Sequence, residues 1–124
     1  MKVKNIVVEI KSLEKSLGEF VETYKKIAAG NKVKKKNIIS FESVEIMRKV
    51  LTPKRIELLG LIRRKKPGSV YELAKMAHRD PKSVNTDVKV LERLGMLESK
   101  KTETQREAII PKVTFDKINV EIPI

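Results

Sequence analysis

Five polar side chains between Lys82 and Arg93 recur at intervals that would place them on one side of a helix. These side chains are Lys82, Asn85, Thr86, Lys89 and Arg93. At roughly 100° per residue the opposite side of this helix is apolar, and it carries Val84, Val88, Leu91 and Leu94. Asparagine can pair with adenine through two hydrogen bonds, threonine can offer a methyl or hydroxyl group, and lysine can reach guanine or a phosphate. The pattern favours a helix that contacts DNA bases; the alternative is an ordinary solvated face.

Clear start and stop signals delimit this helix. Asp80 can cap its first turn, Pro81 suits the first helical position, and Gly95 suits the position just after its end. The sequence therefore predicts a recognition helix over about residues 81–94. The acidic residues predicted at the flanks of its polar face are Asp87 and Glu92.

A shorter helix precedes the recognition helix. Ser69 and Glu72 have the spacing of a capping box, in which both side chains satisfy free amides of the first turn. His78 and Arg79 form the turn between the two helices, and Arg79 is predicted to hold a DNA phosphate. Two short helices joined by such a turn form a helix-turn-helix, whose second helix enters the major groove.

A β-hairpin is predicted directly after the recognition helix. Its strands run from Met96 to Lys101 and from Ala108 to Val113, and a polar tip from Thr102 to Glu107 joins them. The tip contains no glycine, so no tight two-residue turn is indicated. Basic residues of this hairpin, or wing, are predicted to contact the phosphate backbone or the minor groove, and they are Lys100, Lys101 and Arg106.

The helix before the helix-turn-helix is predicted to pack beneath it. Thr52 and Pro53 start this helix, and Pro67-Gly68 stops it. Its predicted inner face consists of Ile56, Leu59 and Ile62, with Leu58 and Leu61 beside them.

The two ends of the chain are predicted to support this centre. Val3–Ile10 has the alternation of a strand, and an amphipathic helix of about 17 residues starts at Ser12. Its single apolar stripe must be buried against the domain or against a second copy. The basic segment 31–37 is either a solvated linker or an arm that contacts DNA. Lys117–Ile124 alternates as a strand and is expected to pair with Val3–Ile10, within one chain or across a dimer.

Composition narrows the classes of partner. The formal net charge of the 124-residue chain is +12, which favours nucleic acid first and an anionic membrane surface second. The alternative is merely a lysine-rich, soluble surface. The chain has no cysteine and one histidine, so disulfides are excluded and a zinc site is not expected. No apolar run approaches the roughly 20 residues of a membrane span, and we expect a cytoplasmic protein without a cofactor or metal.

Catalysis and RNA binding are disfavoured by the same sequence. It contains no glycine-rich phosphate loop and no convincing Ser/His/Asp set around its single histidine, so we expect no enzyme. No aromatic residue is predicted at an exposed position where a single-stranded base could stack, which argues against RNA.

The order of elements resembles the winged helix-turn-helix domain of MarR- and ArsR-like regulators. More closely, the chain is similar to a family of small predicted transcriptional regulators that is widespread in archaea and also found in bacteria. The specific matching segments are LTPKRIELL at 51–59 and RDPKSVNTDVKVLERLG at 79–95. Matches of lower specificity are SLEKSLGEFVETYKKIAAG at 12–30 and FDKINVEI at 115–122. The chain departs from that family at His78, where the turn often has glycine, and in its wing, which lacks the usual glycine.

The resemblance implies a fold of the α+β class, mostly α, in which a winged helix-turn-helix carries an N-terminal strand and helix and a C-terminal strand. We expect residues 1–51 to support or dimerise the protein and residues 52–124 to form the winged helix, within one compact domain. The implied function is sequence-specific binding of double-stranded DNA and transcriptional control as a homodimer. The expected DNA-binding residues are Arg79, Lys82, Ser83, Asn85, Thr86, Lys89, Arg93, Lys100, Lys101 and Arg106. The alternative function is an antitoxin-like DNA-binding protein that also neutralises a protein partner, a toxin.

Overall fold

A computed structural model describes residues 5–31, 37–101 and 109–124 of the chain. The elements in chain order are β1 (Asn5–Ile10), α1 (Leu13–Ala28), β2 (Ile38–Phe41), α2 (Val44–Val50), α3 (Pro53–Lys65), α4 (Val70–Ala77), α5 (Pro81–Arg93), β3 (Glu98–Lys101), β4 (Ile109–Lys112) and β5 (Lys117–Glu121). The chain forms two compact units, one of residues 1–49 with 117–124 and one of residues 50–116. The sequence suggested a single domain that divided near residue 51 and kept the C-terminal strand with the winged helix. The structure instead groups that strand with the N-terminal unit.

The first unit contains a three-stranded parallel sheet in the order β2-β1-β5. Ile6 lies opposite Ile118 and Val8 lies opposite Val120, so the alternating apolar residues of β1 and β5 share one face. The expected pairing of the terminal strands is thus present within one chain. Strand β2 was not predicted. Only two of its four residues, Ile39 and Phe41, lie opposite Val8 and Ile10 of β1, and two residues are too few to reveal an alternating pattern.

Helix α1 connects β1 to β2 and is well formed at both ends. The hydroxyl of Ser12 accepts a hydrogen bond from the amide of Lys15 at 3.2 Å, and Gly30 ends the helix with a φ of 86°. Lys11, just before the helix, forms ion pairs with Glu9 (2.7 Å) and with Glu19. None of the residues of α1 is buried, although the sequence requires a partner for its apolar stripe.

The second unit contains helices α3, α4 and α5 and the antiparallel hairpin β3–β4. This succession of three helices and a two-stranded wing is the winged helix-turn-helix that the sequence predicts. Its buried apolar residues are Leu51, Leu58, Leu59, Ile62, Leu73, Ala74, Val84, Val88, Leu91, Met96, Leu97, Val113 and Phe115. The predicted inner face of α3 needs one correction: Ile56 is 48% exposed, whereas Leu58 is buried. The three helices pack on the side that carries 58, 59 and 62, which leaves 56 outside.

Side-chain caps fix where each of these helices begins. Thr52, Ser69 and Asp80 each accept a hydrogen bond from the amide three residues later. The capping box at Ser69 is altered, because the carboxylate of Glu72 accepts from the amide of Gly68 at 2.9 Å rather than from Ser69. These caps place the start of α5 at Pro81, as predicted.

Helices in the described part of the chain are all too short or too polar to cross a membrane.

Candidate nucleic-acid interface

The polar face of α5 is displayed to solvent. Val84, Val88 and Leu91 are buried on its inner side, and the outward residues follow the predicted spacing. The exposed members are Lys82, Ser83, Thr86, Lys89 and Arg93, and Asn85 is half-buried. The hydroxyl of Thr86 donates to the carbonyl of Lys82 at 3.1 Å, which leaves its methyl group and the lone pairs of its oxygen for another contact. The side chains placed here can donate to, and accept from, the edges of bases.

Of the two acidic residues predicted at the flanks of this face, Glu92 is exposed, whereas Asp87 lies inside the unit. Asp87 is 8% exposed, and its carboxylate is held between two arginines. Nε of Arg55 on α3 lies 3.0 Å from Oδ1, and Nη2 of Arg79 in the turn lies 2.7 Å from Oδ2. Arg55 also donates to the carbonyl of Val50 at 2.8 Å. This triad joins α3, the turn and α5, and it keeps the negative charge of Asp87 away from the exposed face of α5.

The ionisation of Asp87 is set by opposing effects. Burial acts to raise the pKa of its carboxyl, but hydrogen bonds from Arg79 and Arg55 and their positive charges outweigh it and lower the pKa below its usual value. Asp87 is therefore ionised at neutral pH, and two positive charges neutralise it.

Arg79 makes contacts inside the unit that the sequence did not predict. Its Nη2 donates to both Asp87 and the hydroxyl of Ser83, at 2.7 and 2.8 Å, and its side chain is mostly buried. These contacts tie the turn to the start of α5, and the contact of Arg79 with a phosphate stays a prediction. The sequence did not show this because the partner, Asp87, is eight positions away on a different element.

His78 takes the glycine-like position of the turn. Its φ is 55° and its ψ is 45°, which is the left-handed region that favours glycine. The amides of His78 and Arg79 donate to the carbonyls of Lys75 and Ala74, at 3.2 and 3.0 Å. His78 therefore adopts the left-handed backbone conformation that the turn needs, at a conformational cost that glycine would not have.

The described part of the wing exposes two of the predicted cations to solvent. Lys100 and Lys101 are exposed on β3, where they lie opposite Ile110 and Ile109. The hydroxyl of Ser99 donates to the carboxylate of Glu92 at 3.0 Å and links β3 to α5. Arg106 and the tip of the wing lie outside the described residues.

An exposed aromatic residue on α4 was missed by the sequence interpretation. Tyr71 is 60% exposed, and Nζ of Lys75 lies 4.7 Å from the centre of its ring. The spacing of four residues was the available signal, since it places both side chains on one helix face. The exposure of Tyr71 corrects the expectation that no aromatic residue lies at an exposed position where a base could stack. Its contact with Lys75 is a cation–π interaction within the same unit.

No group of three or more His, Asp or Glu side chains suited to a metal ion occurs within residues 5–31, 37–101 and 109–124.

Comparison with known proteins places the chain in a family. Among solved structures it is similar to the transcriptional regulator homologue protein from Pyrococcus horikoshii OT3, with a TM-score of 0.48 and 22% identity, covering 56% of this chain and 72% of that chain. No curated protein sequence matches it. The family model described as HVO_A0114 matches residues 50–120. Since this match spans more than half of the 124 residues, the chain belongs to the HVO_A0114 family.

Proposed function

We propose that this protein is a transcriptional regulator of the MarR/ArsR-like winged helix type that binds double-stranded DNA in a sequence-specific manner. Helix α5 enters the major groove, and its residues that meet bases or adjacent phosphates are Lys82, Ser83, Asn85, Thr86, Lys89 and Arg93. Lys100, Lys101 and Arg106 of the wing hold the backbone. Arg79 contributes by positioning α5. We further propose that the protein is cytoplasmic, requires no cofactor and catalyses no reaction.

The observation that carries this proposal is the polar face of α5. Its exposed side chains are basic or hydrogen-bonding, while the acidic residue in the middle of the helix is buried and paired with two arginines. A solvated face with no function usually mixes both signs of charge. The formal net charge of +12 supports a polyanionic partner for the whole chain.

We also propose that the protein binds DNA as a homodimer. Two recognition helices related by a two-fold axis contact successive major grooves when they lie about 34 Å apart, which is one turn of the duplex. Such a dimer would select a palindromic site, and neither half would need to bind tightly alone.

Binding to a labelled duplex at increasing salt concentration tests the proposal. Fluorescence anisotropy with a pool of random-sequence duplexes at about 50 mM salt should show binding that weakens log-linearly as salt rises. Lys89→Ala should weaken it, whereas the matched control Lys49→Ala should leave it nearly unchanged, because Lys49 lies on α2 and pairs with Glu45 at 3.4 Å. Absence of duplex binding at low salt would overturn the proposal.

The antitoxin-like alternative predicts an additional protein partner. The uncovered face of α1 is compatible with one, and DNA binding can coexist with it. Isolation of a stoichiometric complex with the product of an adjacent reading frame would favour this alternative.

A further inference from the structure

Helix α1 presents an apolar face that nothing in the described chain covers. Its six large apolar side chains are between 48% and 68% exposed, and they are Leu13, Leu17, Phe20, Val21, Tyr24 and Ile27. A 16-residue helix is only marginally stable in water without packing. We therefore expect the apolar face of α1 to be covered by a partner surface.

The uncovered area matches what one side of a dimer supplies. Covering six such side chains would bury on the order of 600 Å² per chain, against about 800 Å² per partner in an interface of standard size. The stripe is also long and narrow, because its members recur at three- and four-residue intervals. This shape suits a second helix of the same kind.

Charges beside the stripe distinguish the two possible directions of such a helix. At roughly 100° per residue, Glu14 and Lys25 lie on the same flank of the stripe, Glu14 near its first turn and Lys25 near its last. In a parallel pair, this flank would face the other flank of the partner helix, which carries the uncharged Ser16 and Thr23. In an antiparallel pair, Glu14 of each helix would lie near Lys25 of the other. The positive end of each helix dipole would also lie beside the negative end of the other, which is favourable.

We propose that α1 pairs with α1 of a second copy in antiparallel orientation, across a two-fold axis near Phe20. Since Phe20 lies midway between Leu13 and Ile27, such an axis brings Leu13 of one chain against Ile27 of the other. This deepens the homodimer of the proposed function by naming its interface. Pairing is tested without DNA, so its failure and a failure of DNA binding can be told apart.

Cysteine cross-linking reports the orientation directly, because the natural chain contains no cysteine. A mixture of Leu13→Cys and Ile27→Cys chains should form a mixed disulfide under mild oxidation. Either variant alone should cross-link poorly. Efficient cross-linking of Leu13→Cys to itself would overturn the antiparallel arrangement, and so would failure of the mixture to cross-link.

Charge reversal tests, in solution, whether Glu14 of one α1 helix lies near Lys25 of the other. Sedimentation of Glu14→Lys and of Lys25→Glu should each show dimers weakened by about 3- to 10-fold, and the double variant should recover. Glu22→Lys is the matched control, because Glu22 lies on the side of α1 opposite the stripe. Equal weakening by Glu14→Lys and Glu22→Lys would contradict the proposed flanks.

The oligomeric state of the unmodified chain decides between a second copy and a different protein. The chain should sediment as a dimer at micromolar concentration, and Phe20→Glu should make it monomeric with its winged helix still folded. A monomer at all accessible concentrations would overturn the proposal, even if α1 then bound another protein.

Discussion

Nη2 of Arg79 lies 2.7 Å from Oδ2 of Asp87, and this contact ties the turn of the helix-turn-helix to the buried side of its second helix. Arg55 holds the other carboxylate oxygen from α3. The two arginines make the orientation of α5 depend on one acidic side chain. The same acid would repel DNA if it lay on the outer face.

Removing this carboxylate should destabilise the winged helix. We predict that Asp87→Ala lowers the free energy of unfolding by about 2–4 kcal/mol, because two mostly buried arginines lose their partner. Urea denaturation followed by circular dichroism measures this change. Glu57→Ala, which removes an exposed carboxylate from α3, is the control and should change stability by no more than about 0.5 kcal/mol. Equal effects would show that the triad contributes little.

The same carboxylate gives stability a defined dependence on acid pH. The folded-state pKa of Asp87 is lowered, so its contribution is present above the unfolded pKa of about 3.9 and is lost as pH falls through the folded value. Glu9 behaves alike, since its hydrogen bond from Lys11 lowers its pKa more than burial raises it. We therefore predict that the stability difference between the natural chain and Asp87→Asn is constant near neutrality and shrinks below about pH 4. A difference that grows on acidification would contradict the assignment.

His78 offers a test of backbone strain in the turn. With a φ of 55°, His78→Gly should hold or raise stability by up to about 1 kcal/mol, whereas His78→Val should lower it by about 1–2 kcal/mol. Thermal or urea unfolding of the two variants provides the comparison. If valine and glycine were equally tolerated, the left-handed conformation would not be required.

Substituting a residue proposed to contact bases should change the affinity for DNA differently from substituting one proposed to contact phosphates. Asn85→Ala or Thr86→Ala should change base preference at one position, at a cost of about 1–3 kcal/mol. Lys100→Ala should instead weaken binding to all sequences alike and reduce the slope of log affinity against log salt by about one. Titrations against a set of single-base variants separate the two patterns. A uniform loss for Asn85→Ala would remove it from the base-reading set.

Much of the fold was predictable because local signals agree with one another. The Asp80-Pro81 start and the Gly95 stop bound α5 within a residue of the prediction, and alternation identified the terminal strands. Strand β2 was missed since four residues are too few to show a period. The exposure of Ile56 could not be read from the sequence, because apolar residues surround most of α3 and periodicity alone does not choose a face.

In the candidate site, too, features set by local sequence were predictable and features set by distant contacts were not. Exposure of Lys82, Thr86 and Lys89 follows from helical spacing, which is a local property. The inward placement of Asp87 depends on Arg55, thirty-two positions earlier, and no local pattern carries such a contact. The contact between Arg79 and Asp87 was not predicted for the same reason.

Selection of bound duplexes from a randomised library is the most direct test of the claim that the outer face of α5 reads DNA. The natural protein should enrich a palindromic motif whose half-sites lie about one helical turn apart. Asn85→Ala should relax that motif at specific positions within each half-site. Recovery of no motif, with binding that depends on salt and not on sequence, would contradict the account.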